Sequence, residues 1–154
     1  MSLFEISRVC RDRFNTVITT GQADSSDPLR PIGEADPVIT QFPNMPFHRP
    51  EDQPWVSMHV LFGDKGQRSF GRPGNNRYRQ VGNLVAMVMV PIARGETLPE
   101  QIANRIIQCF QTRQATGSEG TRVKFLVPKP STPGQSGGWW QINVTCPFYA
   151  DTFE

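Results

Sequence analysis

The sequence predicts an α+β fold in a single domain that covers residues 1–154. Two segments carry apolar residues at spacings of three and four, which is typical of amphipathic helices. Four further segments alternate or run apolar over the length of a strand, and the order along the chain is α-β-β-α-β-β. A chain of 154 residues, 37% of them hydrophobic, can bury one core. We expect one mixed, mostly antiparallel sheet with both helices on one face.

The first predicted helix covers residues 2–18. It begins with a capping box, Ser2-Leu3-Phe4-Glu5, in which the Ser2 hydroxyl can accept a hydrogen bond from the Glu5 amide. The apolar stripe that follows consists of Leu3, Ile6, Cys10, Phe14 and Val17. Gly21 is a suitable residue to end this pattern.

Residues 20–53 differ from the rest of the chain because they are rich in proline, aspartate and glycine. Six prolines lie here: Pro28, Pro31, Pro37, Pro43, Pro46 and Pro50. Proline fixes its own φ angle and donates no backbone hydrogen bond, so regular structure is disfavoured. Only Val38–Phe42 fits a short edge strand. We predict a long arm that becomes ordered against another surface.

Two strands follow the arm. Residues 54–62 alternate, with Val56 and Met58 on the apolar side, as in a half-buried strand. Residues 77–92 form a longer strand whose second half is apolar on both faces, which predicts a central strand covered above and below. The intervening residues 63–76 are predicted to be a glycine-rich, basic loop.

The second half of the chain repeats the α-β-β order. A second capping box, Thr97-Leu98-Pro99-Glu100, opens a helix that runs to about Arg113. Val123–Val127 reads as a short strand, and residues 128–138 as a flexible hairpin loop. The last predicted strand alternates from residue 140 to residue 146 and ends at Pro147-Phe148-Tyr149.

The cysteine content indicates a reducing compartment. The three cysteines, Cys10, Cys109 and Cys146, are odd in number, contain no CxxC spacing and fall on apolar faces of predicted elements. We expect reduced, buried thiols in a protein made in a cytoplasm. The longest apolar run, Leu84–Ile92, is too short to cross a bilayer, so no membrane partner is expected.

Motifs for catalysis are missing from the sequence. His48 and His59 are the only histidines, and neither has a metal-ligand spacing. No GxSxG occurs, and no two carboxylates face each other on a rigid predicted element. The loop Gly63-Asp64-Lys65-Gly66 lacks the GK[ST] ending of a phosphate cradle. We predict no catalytic residue, no metal site and no cofactor.

The charge is unevenly distributed, although the net charge is only +2. Residues 20–52 hold six acidic and two basic side chains, a net charge of −4. Residues 63–79 hold five basic side chains and one acidic one, a net charge of +4. Opposite charges on one small domain suit contacts across a subunit boundary. The alternative is that both segments are simply solvated loops.

The basic segment also has the residue types of a nucleic-acid contact. Its candidate residues for a lumen or a subunit interface are Arg68, Arg72, Arg77 and Arg79. Phe70 and Tyr78 lie between them, so the stripe could touch phosphates and stack on bases. The small net charge argues against a solitary nucleic-acid-binding module. In a ring with these segments turned inward, however, the charges of several copies would add up.

The stretch from Trp55 to Phe148 resembles the phage tail terminator and tail-completion proteins of the lambda type. The long apolar strand Gly82–Ile92, closed by Ala93-Arg94-Gly95 and followed by the helix through Phe110, carries this resemblance. The earlier strand from Trp55 to Phe62, the Gly/Arg loop after it and the segment Trp140–Phe148 add to it. The resemblance covers about two-thirds of the chain.

This resemblance implies a structural virion protein and no enzyme. Its members form a ring, expected here to be a hexamer, that caps the head-proximal end of the tail tube and stops its polymerisation. The implied partners are the tail tube protein, the head-tail connector protein and the genomic DNA, which passes through the lumen without sequence-specific binding. Assembly would occur in the host cytoplasm. The alternatives are another neck or head-completion connector protein, or a small nucleic-acid-binding module.

Because the arm is acidic, we expect it to lie at the joint between subunits. Its candidate residues there are Asp24, Asp27, Glu34 and Asp36. The expected contact is heterologous, with the arm of one copy meeting a basic or apolar surface of its neighbour.

Overall fold

The computed structural model describes residues 3–93, 95, 97–117 and 121–153. Helix α1 (Leu3–Phe14) continues into a π-helical turn (Asn15–Thr19), and α2 spans Thr97–Phe110. The strands are β1 (Ile39–Gln41), β2 (Trp55–Gln67), β3 (Arg77–Pro91), β4 (Gln114–Thr116), β5 (Arg122–Phe125), β6 (Lys129–Ser136) and β7 (Trp139–Phe153). Both predicted helices are confirmed. Ser2, the predicted helix cap, lies outside the described residues.

The seven strands form one mixed sheet. The strand order is β1-β2-β3-β7-β5-β4, and β6 also pairs with β7. Among the described strands, β1 and β2 run parallel and the other pairs are antiparallel. Strand β7 is long enough to pair with β3 on one side and with both β6 and β5 on the other. The prediction of a mostly antiparallel sheet in an α+β fold is therefore confirmed.

Both helices pack on the same face of the sheet, which we call the inner face. Buried side chains of α1, α2 and the inner face belong to one hydrophobic cluster. Four phenylalanines run through it: Phe14 stacks on Phe110 at 6.2 Å, and Phe110, Phe125 and Phe148 follow edge to face. Each fully buried phenylalanine stabilises the fold by roughly 1.5–3 kcal/mol. This cluster holds the helices on the sheet.

The three cysteines lie in this cluster, and the prediction that they are buried is confirmed. All three are free, and each has 0% exposure. Burial raises the pKa of each thiol to about 12. The thiolate, which is the nucleophilic form, is therefore disfavoured at neutral pH.

The prediction that β3 is covered on both faces is wrong in one respect. Its inner residues Leu84, Ala86, Val88 and Val90 are fully buried. Alternate residues on the opposite side, which we call the outer face, are half-buried. The apolar pattern on both sides suggested two covering layers, whereas both helices share the inner face. The outer face of β3 is thus apolar and only partly covered.

Residues 128–138 are not the flexible hairpin loop that the sequence suggests. Residues Lys129–Ser136 form β6, which pairs with the first half of β7. Prolines are tolerated here because β6 lies beside β7 at an edge, and the register shifts between Ser131 and Gly134, around Pro133. Strand β4 is also additional to the predicted order, and residues 63–67 of the predicted basic loop belong to β2.

The first part of the predicted arm lies against the chain's own core. Asp24 and Ile32 form an isolated antiparallel bridge, and the Ile32 side chain is buried. The Val38 amide donates to the Ile18 carbonyl, and Phe42 packs edge-on against Phe14 at 6.4 Å. Strand β1 then joins this segment to the sheet. Among the described residues, no helix has the length and apolar character needed to cross a membrane.

Candidate functional site

The loop between β2 and β3, residues 68–76, forms an ordered projection that we call the hairpin tip. The Arg68 amide donates to the Arg77 carbonyl at 2.7 Å, which continues the strand pairing into the tip. The Ser69 hydroxyl accepts from the Arg77 amide at 2.7 Å. Gly74 has a φ of +89°, a left-handed conformation that favours glycine. These interactions hold the tip in one shape.

The structure divides the four basic candidate residues into two groups. Arg68, Arg72 and Arg77 are exposed at the hairpin tip or at its base. Arg79 lies on the outer face of β3 and is half-buried. Its guanidinium donates from Nε and Nη2 to the two carboxylate oxygens of Asp151 at 2.8 and 3.0 Å. Arg79 is thus held on the sheet, whereas the other three side chains face solvent.

Asp151 is the centre of a cluster that sequence reasoning missed. The hydrogen bond from Arg79 lowers the pKa of the Asp151 carboxyl. Arg79 also lies 4.0 Å from the ring centroid of Tyr149, and the Lys124 ammonium lies 5.9 Å from it. Arg122 is the cross-strand neighbour of Asp151 on β5. Arg122 and Lys124 thus extend the basic surface across three strands.

A short alternation in the sequence indicates where Arg122 and Lys124 lie on their strand. In the sequence Arg122-Val123-Lys124-Phe125, basic and apolar side chains alternate, so both basic residues must share the outer side of the strand. The pairing of β5 with β7 rather than with β4 alone brings them to Asp151. Strand order cannot be read from this alternation.

Two of the four acidic candidates form ion pairs within the chain. Arg13 donates to Asp24 at 2.8 Å, and Arg30 donates to Asp27 at 3.0 Å. Desolvation alone raises the pKa of Asp24, but hydrogen bonds from Ser26 and Arg13 outweigh it and lower the pKa from 3.8 to about 2. Glu34 and Asp36, the other two candidates, are exposed.

Arginine side chains also bind the carbonyls at the end of α2. Arg13 donates to Cys109, Arg30 to Gln111 and Thr112, and Arg113 to Gln108. The last carbonyls of a helix lack intrahelical partners and carry a partial negative charge, so guanidinium groups stabilise them. Because Arg30 belongs to the arm, this contact holds the acidic segment against α2.

Arg105, in the middle of α2, also binds the arm. Its guanidinium donates to the carbonyls of Val17, Gln22 and Gly33 at distances of 2.8 to 3.2 Å. One side chain therefore links the middle of the π-helical turn to the two segments that the bridge between Asp24 and Ile32 joins. The sequence shows arginine rather than lysine here, and its planar fork suits several carbonyls at once.

Of the two histidines, His59 has a hydrogen-bonding partner on its own strand. His59 Nε2 lies 2.9 Å from the Ser57 hydroxyl on the outer face of β2. Ser57 is only 2% exposed, so this hydroxyl is poorly placed to attack a substrate. Within the residues that the structure describes, no group of three or more potential metal-binding side chains is found.

A groove between α1 and β4 is lined by charged residues that pair with one another. Arg13 and Asp24 meet on one wall, and Arg8 lies 3.9 Å from Glu5 and 3.7 Å from Asp12. Such pairing is typical of a structural surface. Among the described residues, the exposed charged side chains of the hairpin tip and of the arm are the best placed to contact another molecule.

Comparisons with known proteins concern the fold and the family of this chain. A solved structure superposes on this chain with a TM-score of 0.69 at 17% sequence identity, covering 100% of this chain and 98% of that chain. This likeness concerns the fold. No curated protein matches significantly. The sequence model of the phage tail terminator protein family matches residues 29–148, which include β2, the hairpin tip, β3 and α2. The chain therefore belongs to the phage tail terminator protein family and is a structural component of a bacteriophage tail.

Proposed function

We propose that this protein forms a ring that caps the head-proximal end of the tail tube, stops tube polymerisation and provides the surface for joining the head. The observation that carries this proposal is the presence of two exposed, oppositely charged surfaces on one subunit. The hairpin tip exposes Arg68 and Arg72, and the arm exposes Glu34 and Asp36. A surface that complements another part of the same molecule favours head-to-tail association, which closes into a ring when the rotation allows.

The half-buried outer face of the sheet supports association. Val85, Met87 and Met89 alternate there on β3, and Leu61 on β2 is 57% exposed. Apolar side chains that are only partly covered in one copy gain free energy when a second surface covers them, at about 25 cal/mol per Å². A subunit of a permanent assembly is expected to carry such a face.

The basic cluster around Asp151 is our candidate for the lumen. Arg77, Arg79, Arg122 and Lys124 together exceed the single negative charge of Asp151. Repeated around a ring, this excess would attract the DNA backbone without selecting a sequence, because phosphate contacts carry no direct sequence information. Both described helices pack on the inner face of the sheet, whereas this cluster lies on the outer face. No catalytic residue is part of the proposal.

The first experiment measures assembly. The purified protein is sized by sedimentation and negative-stain microscopy, alone and with the tail tube protein. We expect rings, with a hexamer as the specific expectation, and tubes that are capped at one end. A chain that remains monomeric at all concentrations and never binds tube ends would rule out the terminator role.

The second experiment reverses charge at the hairpin tip. Arg68→Glu with Arg72→Glu should weaken assembly without lowering the melting temperature, because both side chains are exposed. Lys129→Glu on β6 is the matched control, since it reverses an exposed charge away from the tip. Unchanged assembly in the double variant would show that the hairpin tip is not part of the interface.

A pulldown distinguishes the terminator role from the alternative of another neck or connector protein, because the two would bind different partners. A terminator should bind the tube protein in a pulldown, whereas a head-completion protein should bind the portal side. The alternative of a nucleic-acid-binding module predicts binding of free DNA by the monomer, with an affinity that falls steeply as salt rises.

A further inference from the structure

Two large apolar side chains are far more exposed than the others. Leu29 and Phe70 are each 92% exposed, and the next in the described part of the chain, Phe153, is 66% exposed. Leu29 belongs to the acidic arm and Phe70 to the basic hairpin tip. Aromatic residues are enriched in the cores of protein interfaces, and an exposed apolar anchor beside charged residues suits such a contact.

Both side chains are held on fixed backbone. Leu29 lies in a turn in which its own amide and the Arg30 amide donate to Asp27 at 3.1 Å each. Arg30 in turn fastens this turn to the end of α2. Phe70 lies in the hairpin tip, next to Ser69. The Ser69 hydroxyl accepts a hydrogen bond from the Arg77 amide of β3. A surface that is already ordered loses less conformational entropy on binding.

The two side chains belong to different parts of the strand order, which β7 and β5 separate. The hairpin tip joins β2 and β3, whereas the turn around Leu29 is bonded to Thr112, which leads into β4 at the far end of the sheet. A contact between them is therefore better made between two copies than within one. Such a contact is heterologous and can repeat from subunit to subunit.

We propose that the hairpin tip of one subunit docks on the Leu29 turn of the next, with Phe70 packed on Leu29. Arg68 and Arg72 then lie opposite Glu34 and Asp36 of the neighbour. The partner is a second copy of this chain because the chain itself supplies both the apolar anchor and the opposite charge. This inference rests on the proposed ring, and it assigns the joint between subunits to these two segments.

The test is site-directed disulfide formation. Leu29→Cys and Phe70→Cys are made as separate variants and mixed under mild oxidation. We expect a disulfide-linked dimer in the mixture, no such dimer when either variant is oxidised alone, and a ladder of linked subunits when both substitutions are in one chain. The native cysteines should not interfere because they are fully buried. Phe4→Cys, which replaces a side chain of 64% exposure on α1, is the control partner for Leu29→Cys and should not cross-link.

The possible outcomes separate this inference from the proposed function. Rings that form normally but give no mixed disulfide would overturn the docking contact and leave the terminator role intact. A chain that never assembles would overturn both. Cross-linking of Phe70→Cys to the tail tube protein instead of Leu29→Cys would also overturn the contact. As a second measurement, Leu29→Ala and Phe70→Ala should each weaken assembly about 10-fold or more. Because the two side chains contact each other in the proposed interface, the double variant should weaken assembly by less than the product of the two single effects.

Discussion

Arginine is the residue type on which the arrangement of this molecule most depends. The chain has 16 basic residues, of which only Lys65, Lys124 and Lys129 are lysines. Arginines bind the carbonyls at the end of α2, pair with Asp24, Asp27 and Asp151, and line the hairpin tip. The planar guanidinium can bind several oxygens at once, which a lysine ammonium does less well. The same residue type therefore builds both the fold and its charged surface.

The ion pair between Arg13 and Asp24 predicts a specific acid sensitivity. Because the pKa of Asp24 is lowered to about 2 in the folded chain, its stabilisation is fully present above pH 4 and is lost as the pH falls through about 2. Asp24→Asn should lower the free energy of unfolding at pH 7 by about 1–2 kcal/mol. Urea unfolding of both proteins at several pH values should show this difference shrinking between pH 4 and pH 2.

A suitable control for this experiment is Asp12→Asn. The Asp12 side chain is 67% exposed and lies 3.7 Å from Arg8, so its loss should change the stability by less than about 0.5 kcal/mol. A difference for Asp24→Asn that persisted unchanged at pH 2 would show that the charge of Asp24 does not stabilise the fold.

At the scale of elements, close packing between strands decides the shape of the sheet. The pairing of β2 with β3 shifts register between Phe62 and Lys65. Gly82 on β3 lies opposite Phe62, and a Cβ there would come within 2.6 Å of both the Leu61 carbonyl oxygen and the Phe148 ring. The Phe148 ring thus occupies the space of the missing side chain. A sequence pattern suggests only a bulge or bend at such a glycine.

Gly82→Ala should therefore destabilise the protein. We expect a loss of about 1–3 kcal/mol, because the new methyl group must displace either backbone or a buried ring. Gly66→Ala is the matched control on β2, since a Cβ at Gly66 meets no atom within 4 Å. Thermal unfolding should show a lower melting temperature for Gly82→Ala alone. Equal melting temperatures for the two variants would show that the sheet accommodates the added methyl group without a loss of stability.

At the scale of the whole molecule, charge separation matters more than net charge. The net charge of +2 would suggest a nearly neutral protein, yet the arm and the basic segment carry −4 and +4. Arg68, Arg72, Glu34 and Asp36 are exposed, so these charges are accessible to other molecules. The tertiary structure exposes both groups of charges, as the proposed ring requires.

Assembly of the free protein should accordingly weaken as salt rises. Exposed charges are screened over about 8 Å at physiological ionic strength and about 3 Å at 1 M. Sedimentation velocity at 0.05 M and 0.5 M salt should show a shift toward smaller species at the higher concentration. The Arg68→Glu and Arg72→Glu double variant should show a smaller salt effect. Association that strengthened with salt would indicate that the apolar outer face alone drives it.

Local patterns were sufficient for much of the fold. Apolar spacing predicted both helices, the alternation of β2 and β7 predicted half-buried strands, and the placement of Cys10, Cys109 and Cys146 on apolar faces predicted their burial. These predictions succeed because each depends on neighbouring residues, where the period of the backbone sets which side chains share a face. The resemblance to the tail terminators rests on the same local patterns.

What the sequence by itself determined is thus the fold class, the helices, the inner core and the uneven charge. Only the tertiary structure decided that β6 pairs with β7, that the arm is tied to α2, and that Arg122 and Lys124 join Arg79 near Asp151. Arg79 and Asp151 are 72 positions apart, and Arg30 and Gln111 are 81 apart. Contacts at such separations depend on strand order and helix placement, which side-chain periodicity does not specify.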